Sequence, residues 1–138
     1  MAAPYLRPHW LLRRIANPFM SQLGLATRLV VPGRRSGRMR QVPVNVLEHD
    51  GHRYLVSPRG ETEWVRNLRA SGWAELRRFR HRRRVRATEV AVEERPGIIA
   101  AYRDWWNMAV RRQFEALPRA EDHPVFRLQP AGEGEPQR

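Results

Sequence analysis

The sequence predicts one mainly β domain of the α+β class, a small barrel of about six short antiparallel strands with flanking helices. Short β-branched or alternating segments recur between turn residues such as Asp50-Gly51. Neither a βαβ alternation nor a G-x-G-x-x-G pattern occurs, which argues against a Rossmann nicotinamide enzyme. The 138 residues, 41% of them hydrophobic, suffice for a single hydrophobic core.

The composition indicates which kinds of partner the protein can bind. All 26 basic residues are arginine, and the net charge is +12. Arginine presents a planar, permanently charged fork that suits phosphate and carboxylate. The charge predicts an anionic partner, which composition leaves open among nucleic acid, a membrane surface and a polyanionic small molecule. The sequence contains no cysteine, which excludes disulfides and thiolate catalysis. It also contains neither an apolar run of about 20 residues nor a secretory signal, so we expect a cytoplasmic protein.

The two ends of the chain are expected to lie outside the barrel. Residues 1–25 form a predicted helical segment packed on or extending from it, with Asn17 as a cap and Pro18 at the first helical position. The apolar side of this segment, opposite Arg13 and Arg14, makes weak peripheral membrane contact an alternative. The barrel is predicted over residues 26–129. The tail 130–138 is rich in Pro, Gly and Glu and is predicted to be disordered.

The first half of the barrel contains three predicted strands. Thr27–Pro32 is short and β-branched, and Gln41–Val46 alternates valine with polar residues as a half-buried strand does. Pro43 within that run predicts a sheet edge or a bulge. Asp50-Gly51 predicts a hairpin turn, after which His52–Ser57 forms the third strand.

The second half is predicted to begin with a helix. Thr62 can cap it, and Gly72 ends it after Ser71. Pro96 opens a longer helix that Pro118 ends. The remaining predicted elements are the strands Trp73–Arg80 and Arg84–Val92 around a basic turn His81–Arg83, the longer helix Gly97–Ala116, and the last strand Pro124–Gln129.

The loop Gly33–Gly37 is a candidate anion site. Its two glycines allow a tight turn in which backbone N–H groups converge on an anion. Ser36 adds a hydroxyl donor, and charge-assisted forks can come from Arg34, Arg35 and Arg40. The alternative is an ordinary solvated hairpin with a basic tip.

A second constellation follows Ser57 and Gly60. Helical spacing places Trp64, Asn67 and Leu68 on one face. An aromatic wall beside a carboxamide suits a flat heterocycle with polar edges, although Trp64 and Leu68 can equally be core.

Taken in order, these pieces resemble the deazaflavin-dependent nitroreductase family, class A of the flavin/deazaflavin oxidoreductases. The resemblance covers about residues 17–128. It is carried by the ordered motifs G-R-x-S-G, D-G, S-x-x-G and W-x-x-N-L, which stand here within Leu29–Val44, Asp50-Gly51, Tyr54–Gly60 and Trp64–Leu68.

The resemblance implies a split β-barrel that binds coenzyme F-420, a deazaflavin whose side chain carries phosphate and an oligoglutamate tail. The phosphate and carboxylates would meet Arg34, Arg35, Ser36 and Arg40, at the loop that Gly37 closes. The ring would be lined by Pro43, Val44, Val56 and Ser57 and closed in by Trp64 and Asn67. The same motif implies that Arg59 and Gly60 also bind the cofactor, with Arg59 at its tail.

The implied reaction is hydride transfer between the reduced coenzyme and a small organic acceptor such as a quinone, enone or nitroaromatic. Ser57 and Tyr102 are the candidate catalytic side chains. Tyr102, Trp105 and Trp106 would form the substrate pocket, in place of the family's tyrosine-rich helix, or the tryptophans would simply pack that helix on the barrel.

Other functions stay open from the sequence. These are a flavin mononucleotide (FMN) reductase, a non-catalytic ligand carrier and a basic nucleic-acid-binding barrel. We expect no nucleic-acid partner, because no aromatic platform interleaves with His81–Arg84. The five histidines form no metal-binding pattern, so no metal is expected. We expect a homodimer.

Overall fold

The computed structural model describes residues 27–131, which form one seven-stranded sheet with two α-helices and two short 3-10 turns. The predicted helical segment 1–25, with its cap and its membrane alternative, lies outside the described residues, as does almost all of the tail. The strands are β1 Arg28–Pro32, β2 Met39–Pro43, β3 Val46–His49, β4 His52–Val56, β5 Trp73–Arg78, β6 His81–Glu89 and β7 Val125–Pro130, and the helices are α1 Glu63–Ser71 and α2 Arg95–Ala116.

All neighbouring strands are antiparallel, in the order β2-β1-β5-β6-β7-β4-β3. The last strand of the described residues, β7, therefore lies inside the sheet, between β6 and β4. The curved sheet forms a half-barrel, which confirms the predicted mainly β, barrel-like α+β fold.

Two core clusters occupy the two sides of the half-barrel. One lies under α1 and includes Leu29, Leu68 and Phe126, all at most 1% exposed. The other lies under α2, where Tyr102 and Phe114 pack against the sheet. Each cluster packs one helix against its own part of the sheet. The candidate functional site lies between these two parts.

One predicted strand is two strands in the structure. The alternating run Gln41–Val46 breaks after Pro43, so β2 and β3 are separate and lie at opposite edges of the sheet. The Val44 amide donates to the Thr27 carbonyl at 3.1 Å, and Asn45 turns the chain away. The edge position predicted for Pro43 is confirmed, since a residue without N–H is tolerated at the rim.

The predicted basic turn at residues 81–83 is wrong. The chain turns at Phe79-Arg80, where Phe79 takes a left-handed conformation with φ 56°, and His81 already pairs with Arg78 in the hairpin. A bulky residue rarely adopts this conformation, so no local pattern predicts a turn at Phe79. Arg82 and Arg83 consequently lie on β6 rather than in the turn.

Candidate active site

A cleft of about 1440 Å³ is bounded by the β1–β2 loop, the β2–β3 connection, the start of α1, the middle of α2 and the β5–β6 hairpin. Of the site residues predicted from sequence, Gly37, Gly60 and Trp105 do not line it. The cleft does bring together Arg34, Arg35, Ser36, Arg40, Pro43, Val44, Val56, Ser57, Arg59, Trp64, Asn67, Tyr102 and Trp106.

The Gly33 loop, residues 33–38, is a closed turn at one end of the cleft. The Gly33 amide donates to the Arg38 carbonyl at 2.8 Å, and the Gly37 amide donates to the Gly33 carbonyl at 2.9 Å. Gly37 has φ +77°, which favours glycine. Ser36 Oγ accepts from the Arg38 amide at 3.1 Å, so this hydroxyl shapes the turn as well as facing the cleft.

The arginines of this loop differ in what they contact. Within residues 27–131, no acidic side chain pairs with Arg35 or Arg40, both of which line the cleft. Arg34 Nη1, by contrast, lies 2.9 Å from Glu63 Oε1. Two guanidinium groups without an ion-pair contact in the described chain, beside a tight turn, are suited to a phosphate.

Asn67 holds the Gly33 loop onto α1. Its Oδ1 accepts from the Arg34 amide at 3.0 Å and from Arg34 Nη1 at 2.8 Å, and the side chain is only 6% exposed. Asn67 Oδ1 and Arg34 Nη1 are therefore used within the protein, which makes these residues anchors of the loop. Direct contact of Arg34 and Asn67 with the cofactor stays a prediction.

Ser57 is committed to the fold in the same way. It is fully buried, its Oγ donates to the Gly60 carbonyl at 2.6 Å, and its amide donates to the Pro124 carbonyl at 3.0 Å. Its carbonyl oxygen lies 2.9 Å from His123 Nδ1. The predicted catalytic role of Ser57 is not supported, because the hydroxyl proton is used by the turn that ends at Gly60.

Tyr102 is the remaining candidate for proton chemistry. The ring is 2% exposed and lines the cleft, and Asn45 Nδ2 donates to its Oη at 3.5 Å. Burial raises the pKa of the phenol, and the Asn45 hydrogen bond lowers it by less. The group is therefore neutral at physiological pH. Because Asn45 is the donor, the phenolic proton stays free for a third partner.

Asn45 was missed by sequence reasoning. It stands in the alternating run that predicted a strand, where it reads as an outward-facing polar residue. Only the break after Pro43 brings it to α2, and nothing local in the sequence indicates that break.

The two tryptophans of α2 have different surroundings. Trp106 lines the cleft with its ring centroid 4.9 Å from that of Tyr102, as their four-residue spacing predicts. Its backbone, at φ −125° and ψ 17°, kinks the helix there. Trp105 is 47% exposed and does not line the cleft, so the structure does not support the predicted pocket role for it.

Thr62 and Gln113 belong to the cleft wall but were not singled out from the sequence as binding groups. Thr62 Oγ1 and Gln113 Oε1 are buried without a hydrogen-bond partner. Thr62 precedes α1 as predicted, but its side chain makes no capping bond. The β5–β6 hairpin also reaches the cleft, through Arg77, Arg78, His81, Arg82 and Arg83.

Trp64 has a double role, because it lines the cleft and also packs on the core, 6.2 Å from Phe126 between ring centroids.

No three His, Asp or Glu side chains of residues 27–131 are arranged to hold a metal ion. In that same part of the chain, no helix is long and apolar enough to cross a membrane.

Residues 9–116 match the family model described as F420H2-dependent quinone reductase, F420H2 being the reduced form of coenzyme F-420. The chain belongs to this family. It is accordingly a deazaflavin-dependent oxidoreductase, as the ordered motifs predicted, and the family does not support the FMN alternative. No curated protein sequence matches this family member.

Solved structures share the fold. An F420-H2 dependent reductase, FDR-A, superimposes with a TM-score of 0.59 at 20% identity, covering 75% of this chain and 92% of that one. A domain-swapped dimer gives 0.56 at 18% identity, over 88% and 99% of the two chains. The heme storage protein HutZ from Vibrio cholerae gives 0.54 at 14% identity, over 84% and 90%. At these identities the likeness shows the fold alone.

Proposed function

We propose that the cleft binds coenzyme F-420 with its phosphate at the Gly33 loop and reduces a quinone, enone or nitroaromatic beside Tyr102. One observation carries the proposal. A single cleft joins the unpaired Arg35 and Arg40 to an apolar floor and to a buried, neutral phenol.

The donor set fits the coenzyme. Arg35 and Arg40 offer charge-assisted hydrogen bonds to a phosphate, and Thr62, which also lines the cleft, has a buried hydroxyl without a partner among the described residues. Val42, Val44 and Val56 supply the apolar surface that a flat ring needs. When bound, the reduced coenzyme supplies a hydride.

The chain itself supplies orientation and a proton donor. Tyr102 can donate its phenolic hydrogen bond to an acceptor oxygen on which charge develops, while Asn45 fixes the position of Oη. Trp106 covers the Tyr102 ring and keeps water from that part of the cleft. A quinone carbonyl, an enone carbonyl and a nitro group all present such an oxygen.

Fluorescence titration of the purified protein with coenzyme F-420 and with FMN tests the proposal. We expect tighter binding of coenzyme F-420, and an affinity at least tenfold weaker in Arg35→Ala, since one charge-assisted bond contributes about 1.5–3 kcal/mol. Arg112→Ala is the matched control, because it removes an exposed arginine of α2 that does not line the cleft. Equal affinities for both cofactors, or equal losses in both variants, would contradict the proposal.

We infer further that the protein is a homodimer. Trp105 and Met108 are 47% and 54% exposed on neighbouring turns of α2, an apolar surface suited to a second copy. A structural neighbour is a domain-swapped dimer. Light scattering on the eluting protein should give twice the 16.3 kDa chain mass, and a monomer at micromolar concentration would refute this. The cytoplasmic location stays a prediction.

A further inference from the structure

The β5–β6 hairpin extends beyond the strands beside it. β1 pairs with β5 only as far as Arg77, and β7 pairs with β6 only from Val85 onward. Residues 78–83, here called the hairpin tip, therefore have no neighbouring strand among the described residues except each other. All six residues are exposed. The tip is thus a two-stranded projection whose two faces are both open to solvent in the described part of the chain.

Phe79 lies at the end of this projection with its ring in solvent. Its exposed fraction of 55% is the highest among the large apolar side chains of residues 27–131. Its φ of 56° is left-handed, at a turn position where two-residue hairpins favour glycine, and a bulky residue is strained there. Neither burial nor backbone conformation favours phenylalanine at this position, so we infer that the ring serves a contact outside the folded chain.

Positive charge surrounds this ring on both faces of the hairpin. Side chains alternate along a strand, and Arg83 pairs with the buried Leu76, so Arg83 lies on the core-facing side and Arg82 on the other. Residues 76–88 contain no acidic residue. Within residues 27–131, none of the four arginines of the tip pairs with an acidic side chain. The tip therefore combines an apolar end with guanidinium groups that point in opposite directions.

We propose that the hairpin tip docks on a bilayer containing anionic lipid, with the Phe79 ring below the headgroups and the arginines at their phosphates. A single bound anion contacts one face of the hairpin, whereas a bilayer surrounds an inserted tip and meets the charges on both faces. An apolar ring with basic side chains at headgroup depth is typical of interfacial anchors. Because Arg82 and Arg83 also line the cleft, docking places the cleft beside the headgroups.

A nucleic acid offers the same phosphates, but it suits this surface less well. Proteins that bind single strands stack successive bases on several aromatic side chains. The tip has no Phe, Tyr or Trp besides Phe79. A lone apolar ring at the end of a projection is better matched by the apolar interior of a bilayer.

Co-sedimentation of the full chain with vesicles tests the apolar part of the docking, and it needs no coenzyme. On vesicles of phosphatidylglycerol and phosphatidylcholine, Phe79→Gly should weaken binding by about tenfold, the lower end of what burying a phenylalanine ring contributes. The melting temperature should stay the same or rise, because glycine tolerates φ 56° without strain. Val92→Ala, which shortens another exposed apolar side chain, is the control and should bind like the unsubstituted protein.

A pair of double variants tests the charges. Arg80→Gln with Arg82→Gln should weaken binding to the same vesicles by about thirtyfold, since each basic side chain at an anionic surface contributes to the affinity. Arg66→Gln with Arg112→Gln removes the same charge from exposed positions on α1 and α2 and should weaken binding far less. Vesicles of phosphatidylcholine alone should bind all of these proteins poorly.

A single label reports the depth of the tip. The chain contains no cysteine, so Phe79→Cys provides one thiol for an apolar, environment-sensitive fluorophore that takes the place of the ring. On phosphatidylglycerol vesicles its emission should shift to the blue and be quenched by nitroxide groups on the upper acyl chains. The same label at Glu115→Cys, an exposed position on α2, should show neither change.

Four results would overturn the docking. Equal losses in the two double variants would show only the general positive field. Vesicle binding that survives in Phe79→Gly, or a label at residue 79 that stays in water, would place the contact elsewhere in the chain. Tip variants that lose affinity for single-stranded DNA and keep it for vesicles would make the tip a nucleic-acid surface. A change from dimer to monomer in Phe79→Gly would assign the ring to a subunit interface.

Discussion

At the scale of single residues, Tyr102 combines three properties that seldom occur together: it is 2% exposed, it faces a cleft, and its proton is not used by the protein. Asn45 donates to the phenolic oxygen and so uses an acceptor lone pair and not the proton, which leaves the Tyr102 O–H able to donate to a ligand in the cleft.

Replacing Tyr102 with phenylalanine should lower kcat by about 10²-fold with coenzyme affinity unchanged, because only a proton donor is lost. Burial raises the pKa of Tyr102 above its usual value of 10.0, so the donor stays protonated and kcat should show no basic limb from it below about pH 10. Stopped-flow oxidation of the reduced coenzyme measures both the loss in kcat and its pH dependence. Tyr54→Phe is the control, since Tyr54 is buried on β4 away from the cleft, and an equal loss there would remove Tyr102 from the chemistry.

Asn67 gives a second prediction at this scale. Asn67→Ala leaves the Arg34 amide without its acceptor and the Arg34 guanidinium with Glu63 alone, at a cost of about 1–3 kcal/mol in the free energy of unfolding. The Gly33 loop should loosen, and coenzyme affinity should fall with it. Asn67→Asp keeps an acceptor oxygen at the same place and should retain most of both. Urea unfolding and coenzyme titration are the measurements, and full affinity in the alanine variant would contradict the anchoring role.

At the scale of elements, α1 is attached to the sheet by ion pairs around its two ends. Arg69 donates to Glu61 on one side and to Glu89 of β6 on the other, at 2.7–3.0 Å. Arg95 at the start of α2 also reaches Glu89, at 3.2 Å. This chain of charges connects both helices through one strand.

Acid should weaken this attachment. The Arg69 hydrogen bond lowers the pKa of Glu61, and Arg34 lowers that of Glu63. A carboxylate with a lowered pKa in the folded state contributes stability above its unfolded value, about 4.5, and loses it as pH falls through the folded value. The urea midpoint should therefore decline below pH 4.5, more weakly at high salt because the groups are solvated. In Glu61→Gln the decline should be shallower; an unchanged pH profile would refute the role of this pair.

The helices and strands also show which features of the fold can be predicted from the sequence. The bounds of α1 follow from local signals, Thr62 before it and Gly72 at φ +75° after it. The division of Gln41–Val46 could not be read locally, because it depends on the Thr27 carbonyl and on Tyr102, 57 positions after Asn45. The candidate loop was found because glycines and arginines are adjacent in sequence. The segment His81–Arg84 was considered from the sequence only as part of a nucleic-acid interface, because its place beside the cleft depends on strand pairing.

At the scale of the whole molecule, β7 joins the two parts of the sheet. It pairs with β6 from Val85↔Pro130 to Glu89↔Phe126 and with β4 from Arg53↔Leu128 to Val56↔Val125. Among the strands of residues 27–131, no other pairing connects β2-β1-β5-β6 with β4-β3. The cleft, which draws on both parts, depends on this one strand.

A chain ending at His123 should consequently lose its cooperative thermal transition, whereas one ending at Ala131 should unfold like the full chain. The first removes a strand whose Val125, Phe126 and Leu128 are at most 5% exposed, and with it two ladders of hydrogen bonds. Calorimetry and far-UV circular dichroism make the comparison. A cooperative transition in the shorter chain would show that the two parts of the sheet are independently stable.

The position of β7 in the sheet also determines when the sheet can be completed during synthesis on the ribosome. The segment that completes the sheet is the last described element of the chain to be synthesised, so the strands already made must wait for it with the inner edges of β4 and β6 unpaired. Exposed edges of this kind recruit other chains. The nascent protein is therefore most vulnerable to aggregation in the interval before residues 125–130 leave the exit tunnel. Slow translation of the codons between α2 and β7 should lower the yield of folded protein more than the same delay placed earlier.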